Sequence, residues 1–365
     1  MSKGITQLTK KIMHLIFPAS KPVIKDNTFF VWEPCSKSHS EVVPGYVKYL
    51  LDLGYHVSVL VTPDRIKEGL FSRFQHPNIS LNKMSQKAIH KYFKTSNLSE
   101  ASGLMVTTVG KLCDDIHFDE CYSHFATNID KKKLFFVEHE AKYAVDAGTW
   151  RNDLIILRKL NYKGAQGTVV NPHYFGDVKI TPKNEDVTNF ITVGAVSLKK
   201  KNSEFIINAV ARLHELGYRN FKVTVVGKGS LKGLPKELHR YFDIKGRLPF
   251  DKMYDELEKA DFLLTSYDTR LENHVRYNES GTSGNFQLVY GFCKPCIILR
   301  SFGPINEFDD TNSILYDKDE DYYMAMEKGI KMTSDKYVEM QKSLKKVADN
   351  LYDTSLENLR RLING

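Results

Sequence analysis

Nowhere in its 365 residues does the chain carry an apolar run approaching the roughly 20 residues that a membrane-spanning helix requires. That leaves a soluble or peripheral protein as the expectation. Cysteine is scarce and odd in number: Cys35, Cys113, Cys121, Cys293 and Cys296 are scattered along the chain, which argues against a disulfide framework and for a reducing, cytoplasmic setting. Cys293 and Cys296 form a C-x-x-C across Lys294-Pro295, but no second Cys/His pair stands nearby to complete a zinc site, so both read as small core residues. No G-x-G-x-x-G follows the first strand of either half, which argues against a nicotinamide dehydrogenase. Aromatic residues do not interleave with lysine and arginine on one platform, which argues against a nucleic-acid binder. No solenoid-type repeat is visible.

What is present is an ordinary globular composition, 42% hydrophobic and 26% charged, with a formal net charge of +8. The positive balance favours an anionic partner: nucleic acid, anionic lipid or a phosphorylated substrate. The N-terminal ITQLTKKIMHLIF places Ile5, Leu8, Ile12, Leu15 and Ile16 at helical spacing around Lys10 and Lys11, then stops at Pro18. It reads as a helix lying on a membrane surface, a helix packed on its own domain, or a targeting signal without a clean cleavage site.

Strand-like runs alternate with helical segments throughout: FFVW at 29–32, a helix around 42–53, then HVSVLVT, LMVTTV, KLFFVEH and GTVVN. After the polar stretch 176–189 a second series follows, NFITVGAV, a helix at 203–216, FKVTVVG, YFDIKG, a helix at 251–260, DFLLTSY, a helix at 284–292 and CIILR. Such alternation predicts α/β domains with parallel sheets. The expected division is 1–180, 181–335 and a helical tail 336–365, for which a return to the first domain is one option, with Tyr337, Met340, Leu344 and Val347 on one helical face.

Ligands of open parallel sheets bind beyond the carboxyl ends of strands, so the loops there are the places to search. In the second half they are VGAVSLKKKNSEF, VVGKGS, IKGRLP and YNESGTSGNFQLVYGFCKP. Singly each is weak, since glycine after a strand usually serves the turn. In their order and spacing, over roughly residues 189–330, they resemble the nucleotide-binding half of the retaining GT-B glycosyltransferases. The resemblance implies two Rossmann-like domains facing across a cleft, a nucleoside-diphosphate sugar as co-substrate with no further cofactor and no metal, and a glycan or glycolipid acceptor. It implies that Lys201, or Lys200 if the register is one residue off, neutralises the departing diphosphate. It also implies that Gly194, Gly227, Lys228, Gly229, Arg247 and Leu248 line the nucleotide. Thr282, Ser283 and Gly284 start a helix, whose unpaired N–H groups and dipole can hold a phosphate.

The family's two motif glutamates fall on Ser280 and Leu288 here. Glu279, one residue from the first position, is the candidate replacement, with Glu272 as a weaker one; a solvated loop carboxylate is the alternative. In the first half, PCSKSHSEVVPGYVKYLLDLGYHVSVLV resembles the acceptor side, which implies roles for Ser38, His39 and Ser40. His139 follows a strand in LFFVEHE, where many family members carry a histidine near the donor sugar. Asp317 and Asp319 form an Asp-x-Asp, but they come too late for a metal-dependent transferase, and Tyr322 and Lys328 spoil a calcium loop. A sugar-nucleotide 2-epimerase and a non-catalytic binding protein on the same scaffold are the alternatives.

Overall fold

The computed structural model describes residues 22–35, 39–113, 117–125, 129–194, 203–229, 231 and 233–365. The alternating segments build two sheets. The first contains β1 (Thr28–Trp32), β2 (His56–Val61), β3 (Ile79–Lys83), β4 (Gly103–Val106), β5 (Leu134–Glu138), β6 (Ile155–Ile156) and β7 (Thr168–Val169), in the order β3-β2-β1-β4-β5-β6-β7. The second contains β8 (Thr188–Val193), β9 (Phe221–Val226), β10 (Phe242–Gly246), β11 (Phe262–Leu264), β12 (Cys296–Leu299) and β13 (Ile314–Tyr316), in the order β10-β9-β8-β11-β12-β13. Every strand pairing within them is parallel.

β1 explains why both faces of the first sheet must be covered. Phe29 and Val31 enter one core while Phe30 and Trp32 enter another, the alternation of a strand buried on both sides. In the second domain a single core takes in β8 to β13 and the helices Ser203–Glu215, Gly284–Phe292 and Tyr322–Lys331. The helix Gly284–Phe292 spans the predicted residues, and Cys293 and Cys296 are buried free thiols beyond it. Residues 79–95, unassigned from sequence, form β3 and the helix Gln86–Thr95. β3 is an edge strand with no buried residue, so it lacks an apolar run, whereas Ile89, Tyr92 and Phe93 anchor the helix.

The cysteines form no framework, but one local bridge was not foreseen. Cys113 and Cys121 are joined in a disulfide, eight positions apart. An odd, scattered set of cysteines does not form a framework, but it leaves room for one local bridge whose Cα atoms stand 5.5 Å apart, within the range a disulfide spans.

The final helix, Ser334–Asn364, has 31 residues and is therefore about 46 Å long. Tyr337, Met340, Leu344 and Ala348 belong to the second core, with Val347 packed beside them, while Leu359 is buried in the first, flanked by Tyr352, Leu356 and Ile363. The connecting segment is tied to it: Asn171 N–H donates to Ser355 Oγ at 2.9 Å, and His173 Nε2 stands 3.0 Å from the Ala348 carbonyl.

Candidate functional site

Strand order reverses between β1 and β4 in the first sheet and between β8 and β11 in the second. Loops leaving the carboxyl ends diverge at such points, which is where open parallel sheets take ligands. On the first domain, Glu33 follows β1 and accepts from Thr107 Oγ1 at 2.7 Å and Thr108 Oγ1 at 2.8 Å, both beyond β4. Burial pushes its carboxyl up to about 8. Glu138, at the end of β5, accepts from the N–H groups of Gly110, His139 and Glu140 at 2.9, 2.8 and 3.1 Å, which fixes the turn carrying His139.

His139 Nε2 lies 2.7 Å from the Thr107 carbonyl, so that nitrogen carries the hydrogen and Nδ1 carries the lone pair. His39, at φ 65°, packs its ring edge-on at 4.7 Å from that of His139. Burial, with His39 beside it, lowers His139 to about 3, and burial, with the charges of Lys111 and Arg276, lowers His39 to about 4, so both are neutral imidazoles at neutral pH. Ser40 is buried and its Oγ has no hydrogen-bond partner among the described residues. Ser38 lies outside the described residues.

On the second domain one expected glycine, Gly227, has a packing explanation. Gly194 and Gly227 donate to the Val226 and Gly246 carbonyls, each at 2.8 Å, so the ends of β8, β9 and β10 lie side by side. Gly227 sits at φ 155°, and a Cβ there would overlap the Gly194 carbonyl. Glycine is demanded by neighbouring backbone before any ligand is considered. Lys228 and Gly229 are exposed beyond it. Lys200 and Lys201 lie outside the described residues. Arg247 is turned toward the other domain and grips Glu68 at 3.0 and 3.1 Å, while Leu248 packs on the second core.

The helix start at Gly284 is narrower as a donor set than the sequence suggests. Thr282 N–H donates to the His139 carbonyl at 3.3 Å. The Ser283 hydroxyl is the helix cap: it accepts from Asn285 N–H at 3.3 Å and from Tyr267 Oη at 2.7 Å, so it is engaged by the fold rather than turned to a ligand. Among the described residues, the Ser283 and Gly284 N–H groups remain without a partner, and Gly284 is exposed. Glu41 of the first domain faces this mouth, since a Cβ on Gly284 would lie 3.2 Å from its Oε1, and burial raises its carboxyl above the ordinary range.

Residues missed in the sequence gather on the first-domain side of the same loop. Glu140 accepts from the Ser280 hydroxyl and lies 3.5 Å from Arg276 Nη1, so a carboxylate does stand beside the position where the resembling family has its first glutamate. It comes from the other domain. Glu279 contributes its carbonyl, accepting from Asn161 N–H at 2.9 Å, and Glu272 pairs with Lys142 at 2.7 Å. Arg158, buried, binds carbonyls of the loop. The charged EHE after an apolar strand was a signal for Glu140; Arg158 had none. Asp317 pairs with Arg300 at 2.7 Å and Asp319 with Arg270 at 2.6 Å, and no cluster of three or more potential metal ligands occurs among the described residues.

No family model matches the sequence, and no curated protein matches it. Solved structures match over nearly its whole length. HepE from Anabaena, in complex with UDP and glucose, superposes with a TM-score of 0.56 over 93% of this chain and 100% of its own, at 12% identity. WaaG, a glycosyltransferase involved in lipopolysaccharide biosynthesis, gives 0.51 over 93% and 100% at 14% identity. AviGT4, a glycosyltransferase involved in avilamycin A biosynthesis, gives 0.51 over 92% and 98% at 13% identity. The fold is GT-B. In this GT-B chain the neutral histidine pair belongs to the first domain and the open helix mouth to the second, and the 139–141 and 276–282 segments join the two.

Proposed function

We propose that the chain moves a sugar from a nucleoside-diphosphate donor to a hydroxyl of a glycan or lipid-linked glycan, with retained configuration and without a divalent metal. The observation that carries this reading is the mouth of the helix Gly284–Phe292: two unpartnered N–H groups at the positive end of a helix dipole, beside a switch point, in a fold whose neighbour HepE was solved with UDP and glucose. On this reading the diphosphate lies against Ser283 and Gly284, and Lys201, or Lys200 in its place, supplies the cation. Charge grows on the diphosphate as the anomeric C–O bond breaks, so fixed dipoles and a cation stabilise the transition state more than the ground state. The acceptor oxygen bonds to the anomeric carbon on the leaving group's face, and its proton passes to a phosphate oxygen. Neutral His139 offers its Nδ1 lone pair to a sugar hydroxyl and carries no charge.

A peripheral, lipid-facing setting is supported by the helix Gln86–Thr95. Lys87, Lys91 and Lys94 are all exposed there and make no ion pair among the described residues; the basic N-terminal segment 5–16, expected from sequence as a surface helix, lies outside the described residues. The acceptor would then be held at an anionic surface.

The test is a thermal-shift screen of UDP-, GDP-, ADP-, CMP- and dTDP-sugars with EDTA present, followed by turnover with and without acceptor. A ligand that binds only the folded chain raises its melting temperature. One nucleotide class should do so, and Lys201→Ala should slow transfer about 100-fold or more, the scale of losing a key electrostatic donor. No stabilisation by any donor, or an absolute need for magnesium, defeats the reading. Donor conversion without acceptor would make the protein an epimerase.

A further inference from the structure

The loop 277–283 belongs to the second domain and its N–H groups at 277–281 donate within that domain, yet four of its carbonyls are satisfied by the first. The carbonyls of Tyr277, Glu279, Ser280 and Gly281 accept, in turn, from Arg158 Nη2 at 2.8 Å, Asn161 N–H at 2.9 Å, Ala141 N–H at 2.7 Å and Arg158 Nε at 2.9 Å. Arg158 Nη1 donates to the Lys159 carbonyl at 2.7 Å, which holds the guanidinium plane against its own chain. The side chain follows β6, is only 7% exposed, and makes no ion pair among the described residues. Its charge is met by carbonyl dipoles.

A guanidinium in that position is a poor choice for stability. Glu140 attracts the guanidinium only from a distance, and burying a charge without a direct ion pair is costly, so an apolar residue of similar size would fill the space more favourably. What arginine does that an apolar residue cannot is hold two carbonyls four residues apart with one rigid fork; a lysine, with a single point charge, holds one at a time. The two carbonyls bracket the segment that runs directly into Ser283 and Gly284. We propose that Arg158 is the positioning residue through which the first domain sets the helix mouth: it locks the 277–281 backbone so that the Ser283 and Gly284 N–H groups are aimed at an incoming diphosphate, and it places a buried positive charge on that loop. The inference rests on the donor-binding reading above, and it makes the phosphate site a product of both domains.

The experiment compares wild type, Arg158→Met and Arg158→Lys by hydrogen–deuterium exchange of the unliganded proteins, then by UDP binding and donor kinetics. In Arg158→Met the peptide covering 277–286 should exchange about tenfold faster or more, the equivalent of one charge-assisted hydrogen bond, while β8 and β9 keep their protection. UDP affinity and donor KM should worsen about tenfold with kcat changed far less, and Arg158→Lys should recover part of the loss. Unchanged exchange across 277–286 in Arg158→Met overturns the proposal, as does faster exchange spread evenly over the second domain, or UDP binding that ignores a loosened loop. Should wild type bind no nucleotide at all, the donor reading fails by itself, and the exchange arm still decides whether Arg158 holds the loop.

Discussion

Replacing Gly281 with alanine inserts a methyl group where the two domains touch most closely. A Cβ there would stand 2.6 Å from Glu140 Oε2, 3.1 Å from its Cδ and 3.2 Å from the His139 carbonyl oxygen, all inside ordinary contact distance. The Glu140 carboxylate cannot swing aside freely, because Oε1 holds the Ser280 hydroxyl and Oε2 faces Arg276. Either that bond breaks or the backbone bridge between Glu140 and Gly281 opens. Overpacking of this kind costs about 1–3 kcal/mol, which for a domain of 150–250 residues lowers the melting temperature by roughly 2–4 °C per kcal/mol. Glu140→Ala removes the obstructing atoms, so the double variant should lose less than the sum of the two singles. The expected coupling is about 0.5–3 kcal/mol, read from thermal or urea unfolding of all four proteins. Strict additivity would refute the contact and, with it, the picture of a loop seated on the first domain.

Three further outcomes follow from the same geometry. Folded Glu33 keeps its proton up to about pH 8, whereas its ordinary value is 4.5; the folded chain therefore holds more protons between those limits, and stability should fall as pH rises through them, by up to about 1.4 kcal/mol per pH unit. Glu33→Gln should flatten that slope in melting scans from pH 5 to 8; an unchanged slope removes Glu33 as its source. His39 and His139 act in the opposite direction: below their ordinary value of 6.5 the unfolded chain takes up protons that the folded one refuses, so stability should fall as pH drops toward about 4, and His139→Asn should lessen the loss. Arg247→Ala should change stability by less than about 1 kcal/mol, since its pair with Glu68 is partly exposed, and should weaken nucleotide binding in calorimetry; unaltered binding removes Arg247 from the donor site.

Much of the architecture was readable because it rests on local patterns. Buried parallel strands are near-continuous apolar runs, and Phe29 to Trp32 or Cys296 to Leu299 could be little else. The helix Gly284–Phe292 announced itself by small polar residues ahead of an apolar stretch and a Lys-Pro stop, and its mouth was recognisable as an anion site from residue type. The division of labour inside that mouth was not. Whether Ser283 meets a phosphate or caps its own helix depends on Tyr267, sixteen residues away, and whether Thr282 N–H is free depends on the His139 carbonyl in the other domain. β3 was hidden because an edge strand needs no apolar run, and the Cys113–Cys121 bridge because scattered spacing says nothing of local proximity.

By itself, then, the sequence determined two parallel-sheet domains, the strand ends that carry glycine, and a helix start suited to phosphate, because propensity and hydrophobic period act over a few neighbouring residues. Only the tertiary structure decided that Glu140 stands beside Ser280, that Arg158 grips the loop leading to Gly284, and that the last helix is shared between both cores. The Glu140 and Arg158 contacts join residues more than a hundred positions apart, and it is the packing of whole domains, with the backbone groups it leaves to be satisfied, that chooses their partners.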